Sequence, residues 1–224
     1  MDEKVFGLIS GGIDSPLAVL LISEGFQVIP LHFCLYPMSS EESAKKGFQS
    51  LKELNDLMCF SEVIIFPWAR ILTEIRSNIE EKYACVACRS AMLETASRLR
   101  NLYGVSGIVT GESLGQKASQ TLDNLVAIST RLDIPIIRPL IGMNKDEIKK
   151  ISKERGIWRA NHAGCCLATP SKPRTKATRN EIDRKMNNID LDSLIEESMD
   201  FILEVDDFDI KYEDYLFRLA GEFG

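Results

Sequence analysis

The chain of 224 residues is 45% hydrophobic and 27% charged, a composition that excludes disordered, collagen-like and coiled-coil proteins. Its length fits one α/β domain with an appendage. The net charge of −6 is uneven: residues 191–224 contain 11 acidic and 2 basic side chains (−9), so the other residues, with 22 acidic and 25 basic side chains, have a net charge of +3.

The predicted elements alternate between strands and helices. In chain order, the strands are predicted at 5–9, 27–33, 63–66, 107–110 and 134–138. The helices are predicted at 16–23, 40–58, 69–82, 88–102, 119–130 and 144–155, with more helix from about 179. This βαβα order predicts an α/β fold with a five-stranded parallel sheet and helices on both faces. We assign residues 1–178 to this domain and 179–224 to an acidic, helical C-terminal extension.

The start of the chain and its cysteine content indicate a cytoplasmic protein. No apolar run reaches the roughly 18 residues that a membrane helix needs, and the first residues lack the basic segment of a signal peptide. Six cysteines are too few for a disulfide scaffold and indicate metal or sulfur chemistry in a reducing compartment. Cys34 and Cys59 each stand alone in apolar sequence and are predicted to be buried.

A glycine- and serine-rich loop, Ser-Gly-Gly-Ile-Asp-Ser-Pro at 10–16, follows the first predicted strand. Its backbone N–H groups and the N-terminus of the next helix favour an anion, and Asp14 fits Mg²⁺ bound to phosphate. Two glycines alone would fit an ordinary tight turn, but the whole string resembles the pyrophosphate-binding loop of the PP-loop ATPases. Those enzymes cleave ATP to AMP and pyrophosphate and adenylate a carbonyl oxygen.

A second group of residues could bind a metal or sulfur. Cys85 and Cys88 have a spacing that fits one metal ion or a redox pair, and Cys165-Cys166 provides a further thiol. Three cysteines leave one coordination position open, which favours an iron–sulfur cluster over a closed zinc site. His162 could supply a fourth ligand instead.

A third motif, Gly-Glu-Ser-Leu-Gly-Gln-Lys-Ala-Ser-Gln-Thr-Leu at 111–122, lies between a predicted strand and a helix. Its polar groups should therefore face the same cleft as the first loop. Arg138 ends the next strand, and Asn144 and Glu147 have the spacing of a capping box. Lys145 lies just inside that helix; from its position alone it would be a solvated surface residue.

Four stretches, at 10–15, 110–122, 138–148 and 165–175, occur together and in order. Over roughly residues 4–178 the chain thereby resembles the PP-loop domain of the ThiI family, the tRNA 4-thiouridine synthases or tRNA sulfurtransferases. The motif at 111–122 is especially specific. The Cys85-x-x-Cys88 pair is similar to archaeal members, whose three cysteines hold an iron–sulfur cluster.

The resemblance implies roles for individual residues and the cofactors ATP, Mg²⁺ and an iron–sulfur cluster. Asp14 and Lys145 would support adenylation. Cys85, Cys88 and either Cys166 or Cys165 would hold the cluster; the distance to Pro173 favours Cys166, which would also be catalytic. The implied ATP-binding residues are Leu8, Ile9, Ser10, Gly11, Gly12, Ser15, His32, Phe33, Arg89, Gly111 and Gln120.

The activity implied by the resemblance is ATP-dependent sulfur transfer to a uridine 4-carbonyl of tRNA, with sulfide or a sulfur donor protein as partner. One alternative is an adenylating enzyme with another acceptor. Another is a non-catalytic nucleotide-binding subunit of a modification complex, although the presence of both Asp14 and Lys145 argues against it.

The resemblance does not extend to the THUMP and rhodanese domains that the family uses for tRNA binding and sulfur delivery. We expect a basic strip at 172–185, or a separate partner, to hold the tRNA; a merely solvated face is the alternative. Apolar residues at helical spacing in 191–224 predict one or two helices packed on the domain or on a second subunit of a homodimer.

Overall fold

A six-stranded sheet forms the centre of the computed structural model, which describes residues 3–158, 166 and 169–205. The strand order is β5-β4-β1-β2-β3-β6. Strands β1 to β5 are parallel, and β6 is antiparallel to β3. The strands are β1 (Lys4–Ile9), β2 (Gln27–Cys34), β3 (Val63–Pro67), β4 (Gly107–Val109), β5 (Ile136–Ile137) and β6 (Leu203–Val205).

Helices cover both faces of the sheet, as the sequence predicted. The helices are α1 (Asp14–Ile22), α2 (Glu41–Met58), α3 (Ala69–Asn78), α4 (Ala84–Tyr103), α5 (Leu122–Ser129), α6 (Lys145–Glu154), α7 (Arg179–Met186) and α8 (Leu191–Met199). Short 3₁₀ helices occupy Glu81–Tyr83 and Ala118–Gln120. Helices α1, α2 and α6 contribute to one apolar core, and α3, α4, α5, α7 and α8 contribute to the other. Among the described residues, none of the helices combines the length and apolarity needed to cross a membrane.

Successive side chains of the central strands point to opposite faces of the sheet and so contribute to both cores. Val5 packs into the core beneath α1, whereas its neighbour Phe6 packs into the opposite core. Phe6, Phe66 and Trp68 have no exposed surface, and the burial of each such side chain contributes about 1.5–3 kcal/mol to stability. Strands buried on both faces explain why the sequence shows continuous apolar runs at these positions.

Three expectations from the sequence are wrong in detail. The sheet has a sixth strand, β6, because three residues of the acidic segment pair with the exposed edge of β3; so short a strand has no recognisable pattern. Helix α4 begins at Ala84 rather than at 88, since no glycine or proline interrupts the sequence between Ile79 and Tyr103. Cys59 is exposed because it caps the end of α2 in a left-handed conformation (φ 51°), whereas Cys34 is buried as expected.

The acidic segment begins as a packed part of the fold. Leu191, Leu194 and Ile195 of α8 are buried in the core shared with α3 and α4. Residues 206–224, which include the rest of the predicted acidic helices, lie outside the described residues. In the described part of the acidic segment, the apolar residues at helical spacing therefore belong to a helix, α8, that packs into the main core.

The strand order creates a reversal point between β1 and β4. The chain runs outward from β1 through β2 to β3, and then crosses back to β4 on the other side of β1. In open parallel sheets, ligands bind beyond the carboxyl ends of the strands at such a point. The loop after β1 and the segment after β4 are therefore adjacent.

The side chain of Asn124 joins two loops by hydrogen bonds. The side chain is fully buried, and its Nδ2 donates to the carbonyl oxygens of Ala118 and Arg174, each at 2.9 Å. Its Oδ1 accepts a hydrogen bond from the backbone N–H of Ala177, also at 2.9 Å. One amide thus joins the segment before α5 to the segment before α7.

We predict that Asn124→Ala lowers the free energy of unfolding by about 3 kcal/mol, because one buried and two partly buried backbone groups would lose their partner. For a chain of this length, the melting temperature should fall by roughly 6–12 °C in a calorimetric scan. The matched control is Asn188→Ala, which removes a single exposed hydrogen bond to Asn78. Equal melting temperatures for the two variants would contradict a structural role for Asn124.

Candidate active site

A cleft of about 250 Å³ lies at the reversal point between β1 and β4. Twelve of the residues predicted from the sequence line it: Leu8, Ile9, Ser10, Gly11, Asp14, Ser15, His32, Phe33, Arg89, Gly111, Gln120 and Cys166. Residues that the prediction did not assign to the site also line it, among them Ser39, Ser43, Met92, Thr110, Glu112 and Lys117. The fold therefore brings together side chains from the first and third motifs, from α4 and from the segment that contains Cys166.

The loop after β1 is closed by its own serines. The backbone N–H of Ser10 donates to Oγ of Ser15 at 2.8 Å, and the two hydroxyl oxygens lie 2.9 Å apart. Helix α1 begins after Ile13, and no side chain caps its N-terminus. An uncapped helix N-terminus that borders a cleft favours an anion there.

The segment after β4 touches this loop directly at Gly111. A Cβ atom at Gly111 would lie 2.4 Å from the backbone nitrogen of Ser15 and 2.5 Å from its Cα. Only glycine allows the end of β4 to approach the start of α1 this closely. This contact sets the separation of the two walls of the cleft.

His32 forms a neutral, fixed part of the cleft. Its side chain is buried, and Nδ1 donates a hydrogen bond to the carbonyl oxygen of Ile9 at 2.9 Å. Burial lowers the pKa of His32, although the Ile9 hydrogen bond opposes that shift. The missing side chain of Gly47 makes room for the ring, since a Cβ there would lie 2.6 Å from Cε1. His32 is therefore uncharged at neutral pH.

An ion-pair network with a buried carboxylate forms part of the cleft wall. Glu112 is 2% exposed and bonds the guanidinium groups of both Arg89 and Arg138. Burial raises the pKa of Glu112, but the two positive charges outweigh that effect and hold the pKa below its ordinary value. Arg89 lines the cleft, whereas Arg138 reaches Ser129 at 2.9 Å. Sequence analysis missed Glu112 because nothing in the third motif reveals its partners.

Three of the predicted cluster ligands, Cys85, Cys88 and Cys166, are close enough to interact electrostatically. Sγ of Cys88 accepts a hydrogen bond from Nε1 of Trp68 at 3.3 Å. Burial, together with neighbouring Cys166 and Cys85, raises the pKa of the Cys88 thiol to about 12, although Trp68 and Arg89 act in the opposite direction. In the described part of the chain, no three histidine, cysteine or acidic side chains are grouped as metal ligands. Cys165 and His162 lie outside the described residues.

Of the residues predicted for ATP binding and adenylation, two do not line the cleft, and neither do the predicted cluster ligands Cys85 and Cys88. Gly12 lies in the loop, where its N–H donates to Oγ of Ser10 at 3.4 Å. Lys145 is exposed on the first turn of α6, a helix that begins with the predicted capping box of Asn144 and Glu147. The lysine that does line the cleft is Lys117, which is exposed in the third motif.

The parallel sheet with its reversal point, the Ser-Gly-Gly-x-Asp-Ser loop after β1 and the uncapped α1 define a PP-loop-type α/β domain. Comparison with known families is more specific: residues 1–191 match the family described as thiamine biosynthesis protein (ThiI). The chain belongs to the ThiI family.

Individual relatives support this membership. A probable tRNA sulfurtransferase of Bacillus licheniformis is 35% identical over 202 residues, which cover 88% of this chain and 50% of the relative. One from Thermococcus kodakarensis is 41% identical over 158 residues, covering 69% of this chain and 41% of the relative. A crystal structure of a 4-thiouridine synthetase–RNA complex with bound ATP superposes with a TM-score of 0.82 at 28% identity, covering 91% of this chain and 55% of that one. The chain thus spans about half the length of the curated relatives that it matches.

Proposed function

We propose that this protein is an ATP-dependent tRNA sulfurtransferase that replaces the 4-oxygen of a uridine by sulfur. The observation that supports this most strongly is one cleft lined by the Ser10–Ser15 loop, by Asp14 and by Cys166. Phosphate-binding groups and a thiol thus share a space in which an activated carbonyl could meet a sulfur nucleophile. The naming of the relatives as tRNA sulfurtransferases agrees with this chemistry.

ATP would bind with its phosphates at the uncapped start of α1. The N-terminus of α1 and the hydroxyl groups of Ser10 and Ser15 are suitable donors for phosphate oxygens. Asp14 would hold Mg²⁺, which is commonly bound by one or two carboxylates together with substrate phosphates. The neutral ring of His32 and the apolar Phe33 would border the base without adding charge.

The reaction would proceed in two displacements. The uridine 4-oxygen attacks the α-phosphorus of ATP and pyrophosphate leaves; a sulfur nucleophile then attacks C4 and AMP leaves. Arg89, which lines the cleft, would stabilise the charge that develops on the phosphates. Lys145 is exposed on α6 and does not line the cleft, so its role would require contact with bound substrate or product.

We assign no step to an iron–sulfur cluster. The described cysteines have suitable chemistry, but they are not grouped as ligands of one metal. Three sources of the sulfur nucleophile fit these residues: free sulfide, a cysteine persulfide at Cys166, or a cluster held by Cys85, Cys88 and one cysteine of the 165–166 pair. Iron and acid-labile sulfide in anaerobically purified protein would support the cluster; stoichiometric zinc without sulfide would support a structural site.

A direct test of the activity uses the purified chain, ATP and unmodified tRNA. We expect ATP–pyrophosphate exchange and, with sulfide or a donor protein, 4-thiouridine in nucleosides analysed by mass spectrometry. Pyrophosphate release without thiolation of tRNA would favour an adenylating enzyme with another acceptor. No release under any condition would favour a nucleotide-binding subunit without catalytic activity.

We predict that Gly111→Ala raises the dissociation constant for ATP at least tenfold, because a Cβ at Gly111 would force β4 away from the start of α1. Overpacking of this kind costs about 1–3 kcal/mol, and about 1.4 kcal/mol lost from binding gives a tenfold change. Binding can be followed by calorimetry. The control is Gly25→Ala, since nothing lies within 4 Å of a Cβ at Gly25. Wild-type affinity in the Gly111 variant would contradict the proposed position of the phosphates.

For RNA, we propose Lys172 and Lys176 as the main contacts of the basic strip. Arg174 is paired with Glu181, Arg179 with Asp183 and Lys185 with Glu80. Lys172 and Lys176 are exposed and have no ion pair within the described residues. Unpaired lysines are available to phosphate without first breaking an internal ion pair. Their segment is also tied by Asn124 to the segment that contains Gln120 of the cleft.

We predict that Lys172→Glu combined with Lys176→Glu weakens tRNA binding and lowers the slope of log affinity against log salt by about two, since two phosphate contacts are lost. Filter binding between low and moderate salt measures this slope. The comparison variant combines Arg174→Glu with Arg179→Glu, whose wild-type arginines are already paired. A larger effect in the comparison variant would refute the assignment, and no RNA affinity in the wild type would favour a separate RNA-binding partner.

A further inference from the structure

We infer that Glu112 is a positioning residue, which holds the guanidinium of Arg89 at the wall of the cleft for contact with the bound nucleotide. The inference rests on the proposed function, because it takes ATP as the ligand of the cleft. Glu112 acts through Arg89 and is not proposed to touch the reacting atoms.

The carboxylate of Glu112 is fully engaged. Oε1 accepts hydrogen bonds from Nε of Arg89, at 3.0 Å, and from its Nη2. Oε2 accepts from Oγ1 of Thr110, at 3.0 Å, and from Nε of Arg138. Four donors around two oxygens satisfy a buried carboxylate and fix its orientation.

One edge of the Arg89 guanidinium is hydrogen-bonded to Glu112, and the other edge is available to a ligand. Two of its donor groups are committed to Glu112, while Nη1 makes no hydrogen bond within the described part of the chain. Its side chain is 28% exposed, against 3% for Glu112 and 13% for Arg138. The guanidinium therefore has a buried edge that is fixed and an outer edge that faces the cleft. Fixing the side chain in advance reduces the conformational entropy lost when a ligand binds.

The charge balance of the network also favours an anion. One carboxylate lies between two guanidinium groups, so the cluster has a net charge of +1. Arg138 is directed away to Ser129, which itself donates to the carbonyl oxygen of Leu125. Of the two arginines, only Arg89 lines the cleft, so the excess positive charge is available to a ligand there.

A carboxylate on the same helix as Arg89 offers a matched control. Glu94 of α4 also bridges two arginines, Arg98 at 3.3 Å and Arg131 at 3.4 Å. Glu94 is 24% exposed and does not line the cleft. Arg98 also pairs with Asp192, and Arg131 also pairs with Asp183. Loss of the Glu94 charge therefore removes a carboxylate from between two guanidinium groups that do not line the cleft.

The test measures the dissociation constant for ATP by calorimetry, with a melting curve for each variant. Glu112→Gln should weaken ATP binding at least tenfold, because the amide NH₂ repels one guanidinium and releases it. Glu94→Gln should stay within twofold of the wild type. In the Arg89→Met background, Glu112→Gln should change the dissociation constant by less than twofold, since the group through which it acts is absent.

Additive effects of Arg89→Met and Glu112→Gln, or equal effects of Glu112→Gln and Glu94→Gln, would overturn the inference and leave the proposed function intact. Wild-type protein that does not bind ATP would overturn both. If Glu112→Gln does not fold, Glu112→Asp replaces it: the shorter carboxylate keeps its charge but cannot reach both arginines. The inference is supported if Glu112→Asp weakens ATP binding several-fold and has no effect in the Arg89→Met background. Wild-type affinity of the Glu112→Asp variant overturns it.

Discussion

Replacing Asp14 by asparagine is expected to reduce ATP–pyrophosphate exchange by on the order of 10²–10³-fold while the protein stays folded. Asp14 is the first residue of α1 and lines the cleft beside the Ser10–Ser15 loop. Asparagine keeps the shape of the side chain but removes the charge that would hold Mg²⁺ on the phosphates. Exchange of labelled pyrophosphate into ATP, at saturating magnesium, measures the effect.

Asp123→Asn is the matched control. Asp123 also lies in the first turn of a helix, α5, but it is exposed and does not line the cleft. Both substitutions remove a favourable interaction with a helix N-terminus, which contributes about 0.3–1 kcal/mol. Their melting temperatures should therefore fall by similar amounts, while only the Asp14 variant loses exchange. An Asp14 variant with the wild-type exchange rate would remove the proposed phosphate site.

Replacing Cys166 by serine is expected to lower tRNA thiolation at least 100-fold and to leave ATP–pyrophosphate exchange within a few-fold of the wild type. Cys166 lines the cleft and lies near Cys88, so it is the described thiol best placed to deliver sulfur to an adenylated base. A serine hydroxyl cannot form a persulfide and is a poor ligand for iron. Mass spectrometry of tRNA nucleosides and the exchange assay measure the two half-reactions separately.

Cys59→Ser controls for the loss of a cysteine as such, because Cys59 is exposed at the end of α2 and does not line the cleft. It should retain both activities. Full thiolation by the Cys166 variant would show that sulfur reaches the base by another route. Loss of both ATP–pyrophosphate exchange and thiolation would mean that Cys166 supports nucleotide binding rather than sulfur transfer.

Local patterns were sufficient for most of the fold. Each of β1 to β4 contains a short apolar run, and the capping box at Asn144 and Glu147 starts α6 as predicted. These features depend on neighbours within a few residues, so they can be read directly from the sequence. The loop at 10–16 could also be recognised from the sequence alone, because its glycines, its serines and the following helix are contiguous.

The sequence by itself thus determined the α/β class, most of the strands and helices, and the motifs from which the cleft is made. Only the tertiary structure decided which side chains meet. Glu112 pairs with Arg89, 23 residues away, and with Arg138, 26 residues away. Strand β6 forms only because the edge of β3 offers unpaired backbone groups. Such contacts depend on how the whole chain closes on itself, and their free energies arise from burial and charge that no local pattern encodes.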